Sequence, residues 1–258
     1  MKQNLAFLLC FLLLLSGCGE KDAPSREDDG RIVIALLDTG VAPDAVVSEH
    51  LLAGHNYVTG TDDTVDQINH GTAVASVILG SESAGVTAAA PEAWVVPLVV
   101  VTKQAGETVR CGADTLALAM RESIDIYGAD IINVSLGIRA DEPALREAAD
   151  YAEQQGVLVV SAVGNSGPEE PPCYPAAYET VLAVGSCDKN GAASDFSQSG
   201  ADVLAPGEDI WLASRSGKTY GARGTSYACA FVSAEAADLL AEDSDLSPLQ
   251  LRRKLCAG

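Results

Sequence analysis

Apolar positions run unbroken from Ile32 to Leu37 in "RIVIALLDTG" and stop at Asp38 and a Thr-Gly pair. A short, β-branched-rich run bounded by a turn reads as a strand buried on both faces of a parallel sheet. The same texture returns in "AWVVPLVVV" from Ala93 to Val101, and in "ADIINVSLG", "VLVVSAVGNSG" and "VLAVGSCD". Between these runs the apolar period becomes helical. A small-residue helix is predicted from His70 to Leu79, and another from Asp114 to a stop at Gly128. "EPALREAADYAEQQG" has Pro143 in its first turn and Gly156 as its stop. A long apolar helix follows in "TSYACAFVSAEAADLLAE", and a last one in "SPLQLRRKLC", with Ser247 as N-cap and Pro248 at its first position. This alternation predicts an α/β domain of three layers, a mainly parallel β-sheet with helices on both faces. Ligands of such sheets bind beyond the carboxyl ends of the strands. Asp38, Ser135 and Asn165 fall at those ends.

Composition narrows the classes. With 258 residues and 48% hydrophobic content the chain can bury one large core. A formal net charge of -20 speaks against nucleic acid as a partner, because phosphate backbones need clustered Lys and Arg. The acidity fits solubility outside the cell.

The first residues depart from the globular texture. Lys2 precedes the apolar run Leu5 to Leu15, too short for a membrane span and of the length of a signal-peptide core. The following "LSGCGE" resembles a bacterial lipobox, which implies a signal peptide over 1–17 and lipidation of Cys18. Gly19, where an inner-membrane retention signal would have Asp, favours an anchor in the outer membrane of the envelope, facing the periplasm or the surface. Residues 18–30 read as anchor and flexible tether, and 31–258 as the folded domain. The remaining cysteines, Cys111, Cys173, Cys187, Cys229 and Cys256, are odd in number and form no CxxC pair. No metal site is expected, and Cys229 reads as an inert buried thiol.

Four stretches carry chemistry: "DTG" with Asp38, "HGT" with His70, "GNSG" with Asn165 and "GTSYA" with Ser226. Acyl transfer needs a hydroxyl nucleophile, an imidazole to take its proton, a carboxylate to orient the imidazole, and donors for the oxyanion. Ser226, His70 and Asp38 match the first three roles, and Asn165 with the Ser226 backbone N–H the last. Ser226 also admits a plain reading as a helix cap.

At these residues the chain resembles the subtilisin-like serine proteases, the subtilases. "DTGV", "NHGTAVAS", "AAAPEA", "INVSLG", "SAVGNSG", "YPAAY", "VLAVGS", "LAPG" and "GTSYACAFVSA" fall in that family's order from about Arg31 to Leu255. The resemblance implies a three-layer subtilisin-like fold, a serine endopeptidase and a polypeptide substrate. It implies that Ser135, Leu136 and Gly137 pair with the substrate backbone and wall the pocket for the residue before the cleaved bond. Ser161, Ala162, Val163 and Gly164 would form the opposite wall. A monomer is expected. No cofactor is predicted, although calcium sites occur in the family, because "GSESA" offers too few oxygen ligands for that shell.

The departures from the family pattern are specific. Tyr227, Ala230 and Phe231 replace Met, Pro and His of the serine-helix motif, and Ala73 and Ser76 alter the histidine helix. Ala is a good helix former, so the serine helix should persist. Cys173 stands near a pocket-floor glycine of the family, which implies a shallower pocket, and Cys111 is placed by the resemblance at the same rim. A Cys111–Cys173 disulfide is the resulting expectation. The stretch between Cys18 and the first strand is too short for the inhibitory prodomain common in the family. These departures also support an alternative, a catalytically weak subtilase fold that binds extended peptides as an accessory or scaffold.

Overall fold

A computed structural model describes residues 30–257. The proposed signal segment, Cys18 and nearly all of the tether lie outside the described residues.

Strand β1 (Val33–Asp38) is followed by the short β2 (His55–Asn56), helix α1 (His70–Leu79) and β3 (Trp94–Val99). A hairpin of β4 (Val101–Gln104) and β5 (Glu107–Arg110) leads to α2 (Ala113–Asp125), β6 (Ile131–Val134), α3 (Pro143–Gln154), β7 (Leu158–Ala162) and β8 (Val181–Cys187). Then come β9 (Val203–Pro206), a second hairpin of β10 (Ile210–Ala213) and β11 (Thr219–Ala222), α4 (Thr225–Glu242) and α5 (Pro248–Leu255). The main sheet has seven strands in the order β2-β3-β1-β6-β7-β8-β9, all parallel.

The continuous apolar runs are explained by burial on both faces. On β1, Ile34 and Leu36 face the core under α1, α4 and α5, while Val33, Ala35 and Leu37 face the core under α2 and α3. Side chains alternate along a strand, so a run with no polar member is needed when helices cover both faces. The strand order reverses at β1, whose next strand in the sheet lies on one side and β6 on the other. A crevice opens there at the carboxyl ends.

The predicted elements are present, with two differences. The apolar run Ala93–Val101 is not one strand. It breaks at Val100, whose N–H donates to Asp38 O at 2.9 Å, and the chain leaves the sheet as the β4–β5 hairpin. That hairpin turns through Ala105 and Gly106, both with positive φ, as a two-residue primed turn requires. Ala in place of the usual Asn hides the turn in the sequence. The helix expected to reach Gly128 ends at Asp125, and Gly128, at φ 61°, closes the turn into β6. The capping box at Ser247 is formed with Gln250.

The Cys111–Cys173 disulfide is not formed. All the cysteines of the described residues are free thiols. Cys111 packs against the core under α2 and α3, whereas the Cys173 Sγ lies against the Gln198 carboxamide at 3.7 Å, so the two thiols occupy different environments. Cys229 is fully buried, and burial pushes its thiol up to about 12, in keeping with an inert packing role.

Candidate active site

Asp38 ends β1 at the crevice and is buried. Its Oδ1 accepts from the Thr39 N–H at 2.7 Å and lies 2.7 Å from Nδ1 of His70, the first residue of α1. The His70 side chain remains 33% exposed, so its far edge is open to the cleft. Burial is the largest influence on the imidazole and lowers its pKa. The charge and hydrogen bond of Asp38, with the more distant charge of Asp66, outweigh it, so the net direction is upward, against opposition from Arg110.

What holds His70 in place was not legible as a motif. Asp66 is buried and saturated: Oδ1 accepts from Thr39 Oγ1 and the N–H groups of Ile68 and Asn69, and Oδ2 from the N–H and Oγ1 of Thr72. It therefore stabilises the N-terminus of α1 and fixes Thr39, whose hydroxyl accepts in turn from the Gly71 N–H. The backbone of Gly71 touches Gly40 O so closely that no Cβ would fit, which brings α1 against the end of β1. Asp66→Ala would leave the O–H donors of two buried threonines and three backbone N–H groups without their acceptor. We expect a loss of about 2–4 kcal/mol, read as a lowered urea midpoint at unchanged m-value.

Ser226 is not the cap of its helix. The N-cap of α4 is Gly224, at φ 157° and ψ 151°, with no side-chain cap, and Ser226 is the second helical residue. A side chain is strained at that φ, which accounts for the glycine. The Ser226 hydroxyl donates to Ser135 O at 3.0 Å, and the Ser135 hydroxyl donates to Ser226 O at 3.1 Å. This reciprocal pair ties the helix start to the end of β6. Beneath it, Asn133 donates to Ser135 Oγ and accepts from Ser233 Oγ and Cys229 Sγ, so the buried polar groups of β6 and α4 satisfy one another.

Asn165 follows β7. Its Oδ1 accepts from both the N–H and the hydroxyl of Thr225, at 2.9 and 3.1 Å. Its Nδ2 group keeps its donors, and the Ser226 N–H, as a second helical residue, has no intrahelical acceptor. Asn165 and Ser226 both line the cleft.

These residues line one cleft of about 450 Å³, together with Ser135, Leu136, Gly137, Ala162 and Gly164. Ser161 and Val163, expected in the pocket wall, do not line it. Alternation along β7 turns the Ser161 hydroxyl onto Val134 O, and Val163 packs with Ala176 and Ala183. The end of the pocket holds Cys173 and Gln198, the second of which sequence reasoning missed. Cys173 packs on Gly137. The Gln198 carboxamide lies tight under Gly164, donates to Pro171 O and accepts from the Ser166 N–H at 3.3 Å. No pattern in the chain marks Gln198; only the fold brings it under Gly164. His50 and His55 lie outside the cleft, on Pro91 O and Asp62.

The altered serine helix is intact: α4 runs from Thr225 to Glu242 with Ala230 fully buried. Tyr227 is buried with its ring 6.1 Å from that of His70, and burial raises its phenol. Among the described residues no group of three or more His, Cys, Asp or Glu side chains converges as a metal site would.

The model of the Subtilase family matches residues 29–257. Among curated proteins, Subtilisin Savinase of Lederbergia lenta is 33% identical over 249 residues, covering 93% of this chain and 88% of its own. Subtilisin DY of Bacillus licheniformis is 31% identical over 230 residues, covering 87% and 82%. Among solved structures, the S41 psychrophilic protease aligns at TM-score 0.78 with 30% identity over 88% of this chain and 83% of that one. A cold adapted subtilisin-like serine proteinase aligns at TM-score 0.75 with 28% identity over 89% and 82%. With Asp38, His70, Asn165 and Ser226 gathered on one cleft, and with relatives of this kind along nearly its whole folded length, the chain belongs to the subtilase family and is a subtilisin-like serine endopeptidase.

Proposed function

We propose that this protease works at the bacterial envelope, held there by a lipid on Cys18, and cleaves exported polypeptides through Asp38, His70 and Ser226. The single observation that carries the catalytic roles is the 2.7 Å contact between His70 Nδ1 and the buried Asp38, on the cleft that holds Ser226.

The chain's own residues then divide the work. Asp38 holds the imidazole with Nδ1 as donor, so Nε2 is free to accept a proton. When substrate enters, the Ser226 hydroxyl leaves Ser135 O, gives its proton to His70 Nε2, and Oγ bonds to the carbonyl carbon. The carbonyl oxygen takes up negative charge between Asn165 Nδ2 and the Ser226 N–H. His70 returns the proton to the leaving amine, and water then repeats the sequence on the acyl-enzyme. The strand end Ser135–Gly137 binds the substrate backbone by β-augmentation. Cys173 and Gln198 close the pocket end, which favours a small uncharged side chain before the cleaved bond.

The anchoring rests on the sequence "LAFLLCFLLLLSGC" alone. Its test is metabolic labelling of the full chain in a bacterium with a radioactive fatty acid, with fractionation of the envelope. Label and protein are expected together in the membrane fraction, and Cys18→Ser is expected to remove the label and release the protein. An unlabelled parent chain would refute the anchor while leaving the protease intact.

A further inference from the structure

The wall of the cleft opposite the pocket carries a charge that the catalytic reading does not use. In the β4–β5 hairpin, Val101 pairs with Arg110 and Lys103 with Thr108, so these four residues share one face. Thr102, Gln104, Glu107 and Val109 share the other. Val101, Thr108 and Arg110 line the cleft, which identifies the first face as the one turned to substrate. The hairpin therefore segregates its charges, with Arg110 and Lys103 toward the cleft and Glu107 away.

Arg110 is exposed and close enough for its charge to oppose protonation of His70. Arg139, Arg146, Arg223 and Arg252 each have a carboxylate partner, and Arg110 is in none of these ion pairs. Arg139, the other cation of the cleft lining, is neutralised by Glu170 at 2.9 Å. Asp38 is the only carboxylate in the lining, and it is buried against His70. In a chain with 36 acidic and 16 basic residues, an uncompensated cation at this place is a local reversal of sign.

An extended peptide presents alternate side chains to opposite sides. If the residue before the cleaved bond enters the pocket between Gly137 and Gly164, the residue before that one faces His70, Ile68 and the hairpin. We propose that Arg110 selects substrates with an acidic side chain at the second position before the cleaved bond, Lys103 extending the same preference further along the peptide. The proposal rests on the protease reading and names the substrate class of the same cleft.

The test uses three quenched peptides that share a small residue before the bond and carry Asp, Ala or Lys at the second position. Relative kcat/KM should favour Asp over Lys by about fivefold at low salt, the size of one solvent-exposed charge pair, and the gap should narrow as salt rises. Arg110→Glu should invert the order of the Asp and Lys peptides. Equal cleavage of all three, or an order unchanged in Arg110→Glu, would overturn it. Binding of the same peptides to Ser226→Ala and to the Ser226→Ala, Arg110→Glu double variant, by fluorescence anisotropy, reads the preference without hydrolysis. If the parent takes no fluorophosphonate while the Ser226→Ala form still prefers Asp, the protease reading has failed and the charge selection stands. If Ser226 is labelled and the bound peptides show no charge preference, the reverse holds.

Discussion

Ser226→Ala is expected to remove fluorophosphonate labelling entirely and to lower peptide hydrolysis on the order of a million-fold in kcat, the loss seen when the nucleophile of this kind of triad is deleted. The fold should survive. The hydroxyl makes one hydrogen bond, to Ser135 O, and the helix start is held independently by the Asn165 carboxamide on Thr225 and by the Gly224 N–H on Gly207 O at 2.8 Å. Its loss costs about 1 kcal/mol, within what a domain of this size tolerates. The decisive measurement pairs probe labelling, mapped to a residue, with circular dichroism of parent and variant. A variant that keeps its labelling would move the nucleophile elsewhere. A parent that folds and stays unlabelled would contradict the roles assigned to Asp38, His70 and Ser226.

Asp38→Asn should be damaging to a lesser degree and should leave a different signature. The amide cannot hold His70 in the tautomer that leaves Nε2 free, and kcat should fall on the order of 10⁴-fold. The pH profile carries the second readout. His70 has its pKa raised above the ordinary 6.5, so the acid limb of kcat/KM in the parent should lie above pH 6.5, with activity rising as the imidazole loses its proton. In the variant the main upward influence is gone and burial, which lowers the pKa, remains. The residual activity should therefore have its acid limb at lower pH. Stability moves in the opposite sense: a raised histidine pKa contributes stability that is full below pH 6.5 and fades as pH rises through the folded value. A limb that stays fixed in Asp38→Asn would show that another group than His70 titrates in the parent.

The local texture of the chain was informative because it answers to local physics. Runs such as Val33–Leu37 have one stable use, burial between two layers of helices, and the structure puts them there. Asp38, His70, Asn165 and Ser226 were legible because turn and helix-start residues around them, Thr39-Gly40, Gly71, Gly167 and Gly224, make short recognisable strings. The β4–β5 hairpin was missed because its strands are polar on exposed faces and its turn uses Ala105 where Asn would have signalled it.

By itself, then, the sequence determined a two-sided parallel sheet, the candidates for the reacting groups and the survival of the serine helix without its proline. These depend on periodicity, turn chemistry and propensity, which act over a few residues. Tertiary structure alone decided which groups surround the chemistry. Asp66 becomes the anchor of α1 because five donors close on it, Gln198 fills the pocket end from a loop far along the chain, and Cys173 meets that carboxamide rather than Cys111. Arg110 faces the cleft only because the register of β4 and β5 turns it there. Each of these outcomes depends on distances between segments remote in sequence, and packing, not local pattern, sets those distances.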